Sequence, residues 1–329
     1  MDLFFKSKNF ILINLIIIFS FLIKIYFIDS SITSDGLKYY ELSKQFAETN
    51  TIQENGYLHN IGFIIFHGLI FKVFNSSYYN HIFLTCIYSS LSLYPAFFFF
   101  KKFLNFKYSI FGLLLLAFNF RLIQNTSTGI TEPLFLLLVW SALYFSLGSY
   151  KNRLLGFLIS LFSILIRFEG IVIFVYCIIA YTSLFYKLQY LVLTLFFIPI
   201  SNISKIVNYK TIESKSFEIF GTIESHVNHE TNQLQNFQII KFEKIINSIV
   251  YFGWSLFPEF LLLIPFGFYA IYKKRISKSI LIWIFIFSIS GLWAYLDAYD
   301  TRYFFMTYLF VDLFCLFGLK TVIEKFSKS

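Results

Sequence analysis

The sequence predicts an all-α, polytopic integral membrane protein with about ten crossings and an amphipathic helix in its first outer loop. Three observations carry this prediction. Of the 329 residues, 57% are hydrophobic and only 14% are charged, whereas a soluble domain carries about 25% charge. Charged residues and Pro/Gly clusters divide the chain into repeated apolar blocks, on the scale of the roughly 20 residues a spanning helix needs. The ten-residue alternation of a membrane β-strand is missing.

The elements follow in order. An apolar run at 10–28 stands behind Lys6 and Lys8. It is long and no small-residue cleavage site follows, so it reads as a retained first helix rather than a signal sequence. The first outer loop, 29–60, contains "SDGLKYYELSKQFAE". There Ser34 can cap a helix, with Leu37, Tyr40 and Leu42 on one apolar stripe and Asp35 in the first turn. The stretch "IGFIIFHGLIFKVF", 61–74, is short and holds His67 and Lys72, so it reads as a helix at or dipping into the outer interface. Spans are expected at 81–100, 108–123, 132–149, 154–166, 168–186, 190–205, 249–272, 279–296 and 303–319. A second large outer loop runs from 206 to 248, and the whole chain, 1–329, reads as one membrane-embedded domain.

The stretch "ILIRFEGIVIF", 164–174, places Arg167 and Glu169 inside apolar sequence. A charge at bilayer depth costs roughly 2.5–3.5 kcal/mol on insertion scales. The positive-inside rule decides how to read it. With a cytoplasmic N-terminus and a turn near Arg167–Gly170, one side receives Lys6, Lys8, Lys101, Lys102, Lys107, Lys151, Arg153, Lys187, Lys273, Lys274, Arg275, Lys278, Lys320, Lys325 and Lys328. Asp2 and Glu324 are the acids on that side. One unbroken crossing from 154 to 186 would instead put "KKRISK", 273–278, outside. Two short helices with a turn below the outer surface restore the rule, and Gly170 suits a tight turn. A first helix of about 13 residues spans roughly 20 Å and cannot cross alone.

This topology places Asp35, Arg121, Glu132, Arg167, Glu169, Asp297, Asp300 and Arg302 at the outer face. The net charge of +9 is explained by the basic inner loops, and nucleic acid is not an expected partner. Cys86, Cys177 and Cys315 all lie in apolar blocks and read as small core residues. No phosphate-loop, dinucleotide, zinc-protease or nucleophile-elbow signature occurs.

Each candidate has two readings. Asp35 can serve as a general base on a hydroxyl, or only meet a helix dipole. Arg167 can bind a phosphate, or pair with a nearby acid. Arg302 poses the same choice beside Asp300. Glu132 before Pro133 is ordinary helix-start chemistry unless it meets a partner. His226, His229 and Glu230 could hold a metal, though such loop histidines are commonly solvated.

The sequence also resembles the GT-C superfamily of membrane glycosyltransferases, which includes the protein mannosyltransferases and the lipid A aminoarabinose transferases. "SDGLKYYELSKQFAE" is similar to the family's first outer loop. "NGYLHNIGFIIFHGLIFKVFN", "TEPLFLLLVWSALYF", "LLGFLISLFSILIRFEGIVIF" and "DTRYFFMTYLFVDLFCLFGL" resemble later segments in the same order. The resemblance implies a GT-C-like fold in an inner membrane, a polyprenyl-phosphate sugar donor and a glycan or lipid-linked acceptor. It implies Asp35 as catalytic base, with Tyr39, His59, Glu132, Arg167, Glu169 and Arg302 contacting substrates. A divalent metal stays open as a cofactor. The sequence departs from the family pattern at Gly36, where many relatives carry a second acid. It departs again at His59-Asn60-Ile61, where many carry His-Pro-Pro. No soluble domain is read after the last apolar run, so acceptor choice would fall to the outer loops. A transporter or flippase of lipid-linked sugars and a non-catalytic subunit of a glycan-assembly complex are the other classes weighed.

Overall fold

The computed structural model describes residues 8–28, 33–52, 60–180, 262–274 and 305–327, with Ile284, Ile286 and Ser288. Among these residues the chain is helical and contains no strand. The helices are α1 (Lys8–Tyr26), α2 (Ser34–Thr49), α3 (Ile61–Phe71), α4 (Tyr78–Leu91), α5 (Leu93–Phe103) and α6 (Phe106–Ala117). They continue as α7 (Phe120–Ser127), α8 (Glu132–Ser146), α9 (Tyr150–Ile166), α10 (Gly170–Ala180), α11 (Ile264–Lys274) and α12 (Phe305–Phe326).

Local chemistry sets many of these starts. Ser77, Asn105 and Asn119 each accept a backbone N–H from the first turn of α4, α6 and α7, the usual work of an N-cap. Pro133 opens α8, where its missing N–H costs nothing. The α2 cap differs from the expected one. Thr33, not Ser34, stands outside the helix and accepts the Gly36 N–H. Thr33 also donates to the Thr128 carbonyl at 3.1 Å, and that tertiary bond fixes the boundary one residue earlier.

Among the described residues two stretches are long and apolar enough to cross a membrane, Asn9–Tyr26 and Tyr78–Phe103. A third arises if α6 and α7, bent by 45°, form one broken span. Helix α9 is longer than the 13 residues expected. It has 17, about 25 Å, because it begins at Tyr150 and takes Lys151 and Arg153 into its exposed first turn. The expected spans at 190–205 and most of 249–272 and 279–296 lie outside the described residues, as does the loop 206–248.

The core is aromatic and tightly packed. Phe97, Phe99, Phe100, Phe135 and Trp140 are fully buried where α5 meets α8. Cys86, Cys177 and Cys315 are buried free thiols. Helix α2 packs on α3, with Gly36, Leu42 and Ser43 turned inward. Leu37, expected on the apolar stripe, is instead exposed, because the inward face follows 36, 39, 42, 43 and 46 at helical spacing. Helix α3, expected at or dipping into the outer interface, has 11 residues and packs into the bundle. Its Phe63, Ile64 and His67 are buried against α2 and neighbouring helices.

Five basic residues gather at one end. Lys101 and Lys102 close α5, with Lys102 lying over the Tyr144 ring near the end of α8. Lys107 begins α6, and Lys151 and Arg153 begin α9. The opposite end carries the starts of α2, α3, α8 and α10.

Helices α11 and α12 approach closely through glycine. A Cβ at Gly267 would lie 2.1 Å from the Phe314 carbonyl oxygen, and one at Gly318 would lie 2.0 Å from that of Leu263. The obstacles are backbone, so the helices must separate. Gly267→Ala is expected to destabilise the protein by about 1–3 kcal/mol, read as a lower unfolding temperature in detergent.

Candidate functional site

The opposite end of the bundle carries a polar cluster built from helix termini. Helix α9 ends at Ile166, and Arg167 takes an extended conformation with φ −151° and ψ 137°. The Gly170 N–H bonds back to the Arg167 carbonyl at 3.0 Å, and α10 starts at once. Gly170 does not adopt a positive φ here. Its service is closeness. A Cβ there would meet the Ser163 side chain at 2.5 Å and its backbone at 2.7 Å.

That turn aims Arg167 at three oxygen-bearing side chains. Nη1 donates to Glu132 at 2.9 Å and to Thr131 at 3.0 Å. Nε and Nη2 donate to the two oxygens of Glu169 at 3.3 and 2.7 Å. Glu132 is almost fully buried and Glu169 partly so, with side-chain exposures of 4% and 22%. One guanidinium thus serves two carboxylates among the described residues.

Tyr39 connects this cluster to the first loop. Its hydroxyl accepts the Asn60 amide at 2.6 Å. Burial pushes its phenol up to about 12, a shift opposed by the Asn60 hydrogen bond and the nearby Arg167 charge and reinforced by Glu132 and Asp35. The phenol is therefore neutral at ordinary pH and can donate or accept, but cannot act as a base. The start of α2, with Asp35 in its first turn, docks on Thr128 three residues before Thr131, and Thr131 and Glu132 both accept from Arg167. His59 and Arg302 lie outside the described residues, as do Asp297, Asp300, His226, His229 and Glu230. Arg121 bonds Gln124 on the exposed side of α7. Among the described residues no three His, Cys, Asp or Glu side chains gather as a metal site.

Asp35 is held where it is by its neighbour. A Cβ on Gly36 would lie 1.9 Å from the Thr128 carbonyl oxygen. Glycine lets the start of α2 press onto the loop before α8, and a second acid has no room in this packing.

Two features escaped the reading of the sequence. Lys24, in α1, is 1% exposed and lines a narrow cleft with Ser89, Asn125, Thr126, Glu132 and Trp140. No carboxylate pairs with it among the described residues. Its signal was present: a lone lysine in an otherwise apolar span, which marks function by default. The second feature is a buried contact between His67 and His81, whose Nδ1 atoms are 2.9 Å apart. Nothing in the sequence pairs residues on separate apolar helices.

No protein-family model matches the chain, and no curated protein matches it. The fold is similar to the crystal structure of ArnT from Cupriavidus metallidurans in the apo state, at a TM-score of 0.63 and 11% identity. The match covers 98% of this chain and 62% of that one, so the chain spans less than two thirds of the length of that protein. At this identity the likeness is one of fold. The fold is GT-C-like, as the resemblance in sequence implied.

The Arg167 cluster yields a ranking. Truncating Glu132 leaves a nearly buried guanidinium without its buried partner, at a cost of about 3–5 kcal/mol. Glu132→Ala is expected to lower thermal stability sharply, and Glu169→Ala less, because Glu169 is more exposed. Equal losses in a thermal-shift comparison would contradict this partition.

Proposed function

We propose that the protein is an integral-membrane glycosyltransferase. It moves a sugar from a polyprenyl-phosphate carrier to a lipid-linked or cell-surface glycan. The carrying observation is the Arg167–Glu132–Glu169 cluster, with the start of α2, which holds Asp35 in its first turn, docked on Thr128 just before Thr131 and Glu132. The lysine-rich end faces the cytoplasm by the positive-inside rule, with both termini there. The chain crosses about ten times, and the site faces the exterior or periplasm.

The chemistry follows from the groups present. An acceptor hydroxyl attacks the anomeric carbon and gives its proton to the Asp35 carboxylate. The bond from that carbon to the phosphate oxygen breaks, and the carrier phosphate leaves with the electron pair. The departing charge needs a cation. Arg167 is committed largely to Glu132 and Glu169, so its role is to hold those acids and the turn. Lys24 is the better cation for the phosphate, since it is buried beside the same cleft as Glu132. Neutral Tyr39 hydrogen-bonds substrate, and Glu132 and Glu169 orient sugar hydroxyls. His59 and Arg302 remain substrate contacts in this reading.

A transporter or flippase of lipid-linked sugars is the second reading. The 45° break between α6 and α7 favours it, because broken helices build transport sites. One assay separates the two. Proteoliposomes carrying the protein are given a panel of radiolabelled polyprenyl-phosphate sugars and candidate acceptors. Transfer requires label to leave one carrier, whereas transport moves label across the membrane still attached. Asp35→Asn is expected to reduce transfer by about 10²-fold or more, the lower bound for a lost general base. Lys24→Met is expected to raise the donor KM. Full transfer by Asp35→Asn would remove Asp35 as the base.

A further inference from the structure

The buried histidine pair bears on the loop that organises the site. Gly129 stands at φ +70°, where glycine is favoured, and opens the turn into α8. Its carbonyl lies 2.8 Å from His81 Nε2. A carbonyl oxygen only accepts, so His81 carries its hydrogen on Nε2. In a neutral ring His81 Nδ1 is then a lone pair, and His67 must carry its hydrogen on Nδ1 to make the 2.9 Å contact. Both rings are fully buried, and a charged ring there would pay the desolvation of an ion. His67 Nε2 is left as an acceptor, with the Tyr88 ring centroid 5.5 Å from its own; among the described residues neither Nε2 nor the Tyr88 hydroxyl has a hydrogen-bond partner.

The loop so gripped touches both halves of the site. Thr128 accepts from Thr33 at the start of α2, next to Asp35. Thr131 and Glu132 accept from Arg167. Thr126 accepts from Thr85 on α4 at 2.7 Å, one turn from His81. A donor lost at His81 therefore releases Gly129 midway between the Asp35 contact and the Arg167 contacts.

We propose that His81, held in its Nε2–H tautomer by the Gly129 carbonyl and the His67 Nδ1–H donor, is a positioning residue that sets the distance between Asp35 and the Arg167 cluster. This deepens the transferase reading and rests on it for its kinetic consequence alone. Neither histidine touches the reacting atoms. Their effect runs through the Gly129 carbonyl.

The test uses the full-length protein in detergent or nanodiscs. Of the five histidine rings in ¹⁵N spectra of wild type, the two lost in His67→Gln and His81→Gln should be neutral, with Nδ1–H at His67 and Nε2–H at His81. Amide exchange should quicken together at 33–37 and 128–135 in His81→Phe, with α9 and α10 unchanged. In His81→Gln, whose amide still donates, exchange should return towards wild type. Transfer should fall roughly tenfold in kcat for His81→Phe, the size of a lost buried hydrogen bond, with the donor KM little changed. It should recover in His81→Gln. An Nε2–H tautomer at His67, or unchanged exchange in His81→Phe, overturns the proposal. If wild type turns over no donor, the spectra and the exchange still decide it, and only the transferase reading fails. If His81→Phe does not fold, the tautomers and the His81→Gln exchange decide it.

Discussion

The arrangement of this end of the bundle depends on burying one arginine. A guanidinium inside apolar sequence needs oxygen partners, and residues on its own helix supply few. Arg167 finds one partner two residues on, at Glu169, and two across the bundle, at Thr131 and Glu132. To reach both it must leave the helix, and it does so in extended conformation. The break between α9 and α10 and the docking of α8 onto that break are therefore one event. A buried ion pair of this kind adds little net stability against an apolar alternative, but it excludes arrangements that leave a charge alone.

Glycine supplies the second constraint. The bundle brings backbone against backbone where α2 meets the 128–132 loop, where α10 turns on α9 and where α11 crosses α12. Between apolar helices in lipid, close packing and hydrogen bonds carry the association, because lipid tails are as apolar as the helices. At Gly36 the same constraint reaches the site. It removes the room for a second acid and leaves Asp35 as the one carboxylate in the first turn of α2.

These constraints divide the charges by task. Arg167 is matched by carboxylates and works on geometry, whereas Lys24 lines a cleft with Glu132 and forms no ion pair among the described residues. A site for a departing phosphate needs a cation not already neutralised by neighbours. The two basic residues, alike in formal charge, are thus suited to different work by their surroundings. The histidine pair adds a third layer, holding by neutral hydrogen bonds the loop that the charged groups meet.

The sequence by itself determined the helical class of the protein, the helix start at Pro133 and the turn at Arg167, but not the break at Asn119, which interrupts the expected span 108–123. The first three are local or compositional properties. Apolar length, a proline at a first helical position and a charge inside an apolar run are each visible within a few residues. Only the tertiary structure decided what lies opposite what. Glu132 meets Arg167 across 35 residues, His67 meets His81, and Thr33 displaces Ser34 as a cap because Thr128 is within its reach. Leu37 turned outward although it is apolar. In a helix apolar all round, composition does not distinguish the face that packs on protein from the face that meets lipid. Side-chain partners then follow from close approach between helices, which no local pattern encodes.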